Sequence, residues 1–520
     1  MRGNPGASWV GPIAALLALA GMLSAEAWAR RGPAWREYSA EDPYWVSFLG
    51  AKKYFSPAAA PGDREILCLG GSVAAGYPFP RAGFPEWMGL MLGRAGVERI
   101  AVLGRGIGGF ATRRVAPVLR EALTQRRPWA VVLFIGHNEV VEESLYARTP
   151  GFLRGSWARR LLLSALVTRA CRWAAARSQR DPKGGPLRGL WGLPSAMALV
   201  SRPEVLPGYR ARLVEMLRQA RAAGAIAILC TTPVDLRFPP TTPYRKGLDA
   251  DHVRRLQGAW RSWQEGDSRA AGAALEAFPS EQQTPHVRWL AGECDLKMGR
   301  VAAGLAGLRR ADEANATASD DMRRIQREAA EQEGAVLVDL DGIWSRMTPE
   351  GLPPSGYFSD NHHLSLRGYR DAAFRILKAL EAAGRLPAGT ARPWPDTTTA
   401  GALQELGLAP GYEDIQHGLM ASELSLYGDS SGLDWFHEQA IAHLRAGLAG
   451  EPKSLFPKLR VDHPAVMLDL ACAYARSGFD GEARRWAGRA KNSAAAWVGI
   501  WPDDDSAWAR QARRLLSGQS

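Results

Sequence analysis

The chain has 520 residues, 46% hydrophobic and 9% aromatic, which is enough apolar material for two or three folded domains and too much for a disordered polymer. Its 65 Lys and Arg outnumber 53 Asp and Glu to give a net charge of +12. They are spread along the length, as on a solvated arginine-rich surface or one facing an anionic envelope polymer, and no zinc-finger or RNA-binding signature makes nucleic acid an expected partner. The five cysteines, Cys68, Cys171, Cys230, Cys294 and Cys472, are scattered and imply neither a disulfide framework nor a zinc site.

In chain order, the first feature is an export signal. Arg2 precedes an apolar stretch from Trp9 to Ala25, and Ala27-Trp28-Ala29 has the small-x-small form of a cleavage site. The stretch is close to the ~17 residues needed to span a bilayer, Gly11 and Pro12 interrupt it, and Arg30-Arg31 resist translocation. Residues 1–29 are therefore expected to be either a removed signal peptide or an uncleaved membrane anchor. Both place the remainder outside the cytoplasm, in the periplasm or tethered to a membrane.

Five short apolar runs then read as buried parallel strands: Glu65 to Leu69, Arg99 to Leu103, Ala130 to Ile135, Ala225 to Cys230 and Ala335 to Leu340. Helical patterns around Trp87 to Leu92, over Val115 to Leu123 and over Tyr209 to Ala222 separate them, and this alternation predicts an α/β fold with a doubly wound parallel sheet. Residues 141–205 break the rhythm with the basic amphipathic run Arg159-Arg160-Leu161-Leu162-Leu163, and a Pro/Gly-rich loop is expected from Asp181 to Pro207. A lid, a membrane-facing surface and a helix packed on the sheet all fit that run.

Residues 250–318 are helical and repetitive. Ala259, Gly266, Ala271 and Leu275 are matched 33 residues later by Gly292, Gly299, Gly304 and Leu308, a period near the ~34 residues of a tetratricopeptide unit, in which small residues let two antiparallel helices approach. Leu470, Ala471, Tyr474, Gly478, Ala483 and Ala490 repeat the pattern, and such repeats would recruit a protein partner. The expected organisation is the N-terminal signal or anchor at 1–29, a catalytic domain in two parts at 60–245 and 321–385, inserted repeat helices at 246–320, a linker from Gly384 to Gly401, and C-terminal helices at 400–520.

Four blocks carry the chemistry. The first strand runs into Gly70-Gly71-Ser72, the second into Gly106-Ile107-Gly108-Gly109, the third into Gly136-His137-Asn138-Glu139, and Asp360-Asn361-His362-His363 lies beyond the last. The carboxyl ends of parallel strands share one edge, so the first three blocks are expected to converge. Ser72 is the candidate nucleophile, His363 the base, and Asp360 the group that orients the imidazole. Candidate oxyanion donors are the Ser72 N–H, the Asn138 amide and a glycine N–H of the second block. Bland readings compete: a serine after a strand is commonly a helix cap, His362 reads as a surface or substrate-side residue, and His137, His252, His286 and His463 read as structural or exposed.

Other functions fit less of the chain. Gly104-Arg105-Gly106-Ile107-Gly108-Gly109 satisfies the dinucleotide fingerprint but follows the second strand and leaves the Ser, Asn and His blocks unused. Ala74 stands where an α/β-hydrolase elbow needs glycine. Asp360, His362 and His363 as metal ligands lack a second cluster. A repeat scaffold carrying an inactive hydrolase domain is the rival from a different class.

The four blocks, in order, resemble those of the SGNH (GDSL-like) hydrolases, over roughly residues 62–240 and 330–384. Gly71 stands where that family usually has aspartate, and the Asn138-Glu139 pair resembles bacterial exported members fused to tetratricopeptide repeats. The resemblance implies a flavodoxin-like three-layer fold with inserted and C-terminal helical repeats, and a serine esterase or O-acyltransferase needing no cofactor and no metal. It also implies a catalytic Ser72, Asp360 and His363, an oxyanion hole of Ser72, Gly109 and Asn138 with Gly108 and Gly106 as alternatives to Gly109, and an acyl-ester substrate.

Overall fold

The computed structural model describes residues 64–79, 81–148, 201–241, 248–315, 317–394, 399–408, 417–418, 420–421, 424–425, 434–449, 464–493 and 507–517. The expected signal or anchor at 1–29, the run from Arg159 to Leu163, Cys171 and His463 lie outside them. Among the described residues no helix is long and apolar enough to cross a membrane.

Five strands, β1 (Arg64–Gly70), β2 (Ile100–Gly104), β3 (Ala130–Phe134), β4 (Ile226–Cys230) and β5 (Val336–Val338), form one parallel sheet in the order β2-β1-β3-β4-β5. This is the flavodoxin-like doubly wound order. β1 is held between parallel neighbours, with Leu67 opposite Leu103 on β2 and opposite Val131 on β3. Ile66, Leu67, Cys68 and Leu69 on β1 are fully buried, as is all of β3, whereas the edge strand β2 is only half-buried along its length. Continuous apolar runs are what a strand covered on both faces requires.

The helices are α1 (Phe84–Arg94), α2 (Thr112–Arg126), α3 (Glu139–Arg148), α4 (Arg202–Ala222), α5 (Ala250–Gln264), α6 (Ser268–Glu276), α7 (Pro285–Lys297), α8 (Val301–Asp312), α9 (Asp320–Gln332), α10 (Leu340–Ser345), α11 (Leu366–Ala382), α12 (Thr399–Glu405), α13 (Asp434–Ala449), α14 (Pro464–Arg476), α15 (Asp480–Ser493) and α16 (Ala507–Ser517). Two expected boundaries are wrong. The fifth strand stops at Val338, because the Asp339 side chain accepts from Gly342 N and starts α10, taking Leu340 into the helix. The expected loop boundary at Pro207 is replaced by a helix that starts at Arg202: Pro203 lies in the first turn of α4, where its missing N–H costs nothing, and the helix continues through Pro207.

The chain divides into two compact units. The first holds residues 1–71, 99–229 and 325–336. Within it α4 packs on α2 and α3, and Tyr209 Oη and Gln326 Nε2 both donate to Ile135 O, at 3.3 and 2.8 Å.

The second unit holds residues 72–98, 230–324 and 337–520. Here α1 packs on α11, whose first turn is capped by Ser365 Oγ accepting from Gly368 N at 3.1 Å. The expected linker after α11 is anchored: Glu381 accepts from Gly389 N and Ala391 N at 2.6 and 3.1 Å, and Trp394 is buried with its ring 5.6 Å from that of Trp87. Helices α5 with α6, α7 with α8, and α14 with α15 form hairpins. Their turns contain Gly266, Gly299 and Gly478 at φ +92°, +76° and +81°, a left-handed backbone that favours glycine. A Cβ on Gly292 would come within 2.9 Å of Gly304 O, so glycine lets α7 and α8 approach closely there. Ala259, Ala271, Leu275 and Leu308 lie in one buried cluster and Leu470, Ala471, Tyr474, Ala483 and Ala490 in another.

Candidate active site

Ser72 follows β1 directly, on the loop that leaves the carboxyl edge of the sheet. Its carbonyl accepts from Tyr77 N at 3.0 Å, closing a tight turn that leaves the hydroxyl as the group free to act. His363 comes from the segment before α11, where Ser359 N donates to His363 O at 2.8 Å and Asp235 N to Asn361 O at 2.8 Å. Within the second unit these segments bring three side chains into line. His363 Nε2 lies 2.7 Å from Ser72 Oγ, and His363 Nδ1 lies 2.6 Å from Asp360 Oδ2.

Asp360 is 2% exposed, and Ser72 and His363 are each 9% exposed, so the pairings are shielded while the serine still meets solvent. Asp360 Oδ1 accepts two backbone N–H groups, His362 N at 2.9 Å and His363 N at 2.7 Å. Burial favours the neutral acid, but the adjacent His363 and His362 rings and these hydrogen bonds outweigh it and hold the Asp360 carboxyl well below the usual carboxylate range. An ionised Asp360 fixes the proton of His363 on Nδ1 and leaves Nε2 free to accept from Ser72.

Of the two places expected for His362, the surface or the substrate side, the open surface does not hold. Its side chain is largely buried, its ring centroid is 3.9 Å from that of His363, and Nδ1 lies 2.6 Å from Asn361 Oδ1. Burial and the neighbouring His363 lower its pKa to about 3 against the pull of Asp360, so the ring is neutral. Tyr77 also packs on the imidazole of His363, 4.6 Å between centroids, and its carbonyl accepts from Tyr369 Oη at 2.6 Å. Of the other histidines, His252 pairs with Asp249 at 2.8 Å, and His286 is buried with Nε2 2.9 Å from Pro240 O.

Gly109 and Asn138 lie in the first unit, together with Gly71. Asn138 Nδ2 donates to Phe110 O at 3.2 Å, and Gly109 takes φ +78°. A Cβ on Gly71 would come within 2.8 Å of both Asn138 Nδ2 and Phe110 O. Glycine at this position is thus required by space, and Ser72 is the next residue in the chain. We predict that Gly71→Ala costs about 1–3 kcal/mol through this crowding; urea denaturation that left the midpoint unchanged would contradict it.

Residues 68–293 match the model of the GDSL-like lipase/acylhydrolase family. Over that stretch the chain is similar to GDSL-like acylhydrolases. The match ends before Asp360 and His363, which the fold brings to Ser72. No curated protein sequence matches the chain. Among solved structures it is similar to an acetyl xylan esterase, 13% identical, covering 61% of this chain and 99% of that one with a TM-score of 0.29. It is also similar to a GDSL-like lipase from Bacteroides thetaiotaomicron, 13% identical, covering 65% and 99% with a TM-score of 0.31. A psychrotrophic esterase from Pseudoalteromonas sp. is 11% identical, covering 62% and 100% with a TM-score of 0.28. Likenesses at that level carry no weight for function.

The matched region contains a charged cluster that spacing did not reveal. Glu139 and Glu142, on the first turn of α3, accept from the N-terminus of α2: Thr112 N donates to Glu139 Oε1 at 2.8 Å, Ala111 N to Glu142 Oε1 at 3.1 Å, and Arg113 N to Glu142 Oε2 at 3.0 Å. Thr112 Oγ1 adds a bond to Glu139 Oε2 at 2.7 Å. Burial, then repulsion from Glu142, pushes the Glu139 carboxyl up to about 7 against the pull of Arg212. The only hint in the sequence was acidic residues three apart at the start of a helix.

This cluster also decides against the dinucleotide reading, because the N–H groups that would bind a pyrophosphate at the start of α2 already serve two carboxylates. Asp360, His362 and His363 could bring three ligand atoms within 4.8 Å of one another. Both ring nitrogens of His363, however, are engaged by Asp360 and Ser72, so a metal there would have to break the Ser–His–Asp chain.

Proposed function

We propose that the protein is an exported serine esterase or O-acyltransferase working through an acyl-enzyme on Ser72. The observation that carries this reading is the continuous chain of hydrogen bonds from Ser72 Oγ through His363 to Asp360, at 2.7 and 2.6 Å. His363 takes the Ser72 proton as Oγ attacks the ester carbonyl, then returns it to the departing alcohol; the ionised Asp360 stabilises the imidazolium between the two steps. Water or an acceptor hydroxyl then attacks the acyl-enzyme, and the same imidazole removes its proton.

The oxyanion donors in this reading are the Ser72 N–H, the Gly109 N–H and Asn138 Nδ2. Support for the last two comes from the packing of Gly71, covalently joined to Ser72, against Asn138 and the Phe110 carbonyl. The substrate class is an ester-linked acyl group on envelope carbohydrate or lipid, supported by the export signal in the sequence and the net positive charge. The helical hairpins of the second unit, read as tetratricopeptide-like repeats, would dock a protein partner, and the N-terminal stretch would give membrane association.

The test is a panel of short and long p-nitrophenyl acyl esters and acetylated sugars, combined with a fluorophosphonate probe. Labelling at Ser72 and turnover of at least one acyl class support the reading. A wild type that neither labels nor turns over any ester would favour a scaffold carrying an inactive domain.

A further inference from the structure

In the segment 109–113, which leads into α2, five backbone polar groups are held by side chains. Ala111 N, Thr112 N and Arg113 N donate to Glu142 and Glu139, as described above. Phe110 O is taken by Asn138 Nδ2, and Gly109 O by Arg114, whose guanidinium is itself paired with Glu142. All the anchoring groups except Arg114 come from the single stretch Asn138–Glu142. Three arginines balance the three carboxylates: Arg114 on Glu142, Arg113 on Glu143 at 2.8 Å, and Arg212 on Glu143 at 2.7 Å and on Glu139 at 3.5 Å. Arg212 Nε also donates to Thr112 Oγ1 at 2.9 Å.

An N-terminal helix turn ordinarily finds its acceptor in its own capping side chain. Here Ala111 occupies that place and supplies none. The α2 terminus is therefore capped by side chains of another helix, and that helix begins one residue after Asn138. Moving Glu139 or Glu142 would move the Gly109 peptide and the Asn138 amide together.

We propose that Glu139 and Glu142 are positioning residues that fix the relative placement of Gly109 and Asn138, the two donors assigned above; this rests on the oxyanion reading of the preceding subsection. They touch neither substrate nor nucleophile and act only through the segment they hold.

The experiment compares wild type with Glu139→Ala, Glu139→Gln, Asn138→Ala and the double variant Asn138→Ala/Glu139→Ala, by steady-state kinetics on a p-nitrophenyl ester and by amide hydrogen exchange. Loss of one oxyanion donor typically costs about 10²–10³ in kcat. The expected results are a kcat loss of that order for Glu139→Ala with KM little changed, substantial rescue in Glu139→Gln, and faster exchange at 111–113 with β1 and β3 unchanged. In the double variant the second substitution adds less than tenfold, since both act on one device. Multiplicative losses, or unchanged exchange at 111–113, would overturn the clamp. Faster exchange in Glu139→Ala with a wild type inert to every ester and to the phosphonate would instead overturn the esterase reading and, with it, the catalytic role given to the clamp.

Discussion

Ser72→Ala is expected to lower kcat on a p-nitrophenyl ester by about 10⁴–10⁶ and to abolish fluorophosphonate labelling, while thermal stability stays within about 1 kcal/mol of wild type. The size of the loss follows from the role: without Oγ no acyl-enzyme forms, and only binding and oxyanion donors remain to favour attack by water. The small effect on folding follows from the local structure. The Ser72 hydroxyl bonds to His363, whereas the turn is closed by its backbone carbonyl and Tyr77 N, which alanine preserves. Labelling that persisted in Ser72→Ala would place the nucleophile elsewhere. Equal loss of stability and activity would show that the hydroxyl is structural.

What the sequence made legible here is what depends on local pattern. The strands were readable because β3 and the Ile66–Leu69 stretch of β1 are buried and apolar throughout, and Ser72 was readable because it stands just past such a run. Asp360 and His363 were linked by their three-residue offset, which the fold uses through two contacts at once, backbone and ring. Contacts made across elements left no such trace. Glu139 and Glu142 cap the start of another helix, and nothing in their spacing names the N–H groups they satisfy. Gly71 read as a lost carboxylate, but its reason is the space taken by Asn138 and Phe110 O. His362 read as a surface or substrate-side residue, without a choice between them, because adjacent residues on an irregular loop carry no periodicity from which burial follows. The Pro-rich segment after α11 read as a free linker because composition does not show Glu381 receiving two of its N–H groups.

The second large effect is expected at Asp360 and His363, and three variants separate their roles. His363→Ala removes the base and should cost at least about 10⁴ in kcat. Asp360→Asn keeps an oxygen able to accept from His362 N and His363 N, so the loop should hold, but it presents an amide N–H to His363 Nδ1. The imidazole must then carry its proton on Nε2, facing Ser72 with a donor where an acceptor is needed, and kcat should again fall by about 10⁴. Stability supplies an independent sign. The Asp360 pKa is depressed below its unfolded value of 3.8, so its contribution is complete above that pH and is lost as pH falls through and below it. Wild type should therefore lose its stability advantage over Asp360→Asn on acidification below about pH 4. His362→Ala keeps the backbone N–H that Asp360 accepts and removes only a neutral ring packed on His363, so kcat should stay within about tenfold of wild type. Comparable losses in His362→Ala and His363→Ala would mean that the base has been assigned to the wrong histidine, because only one of the two rings has a nitrogen within hydrogen-bond reach of Ser72 Oγ.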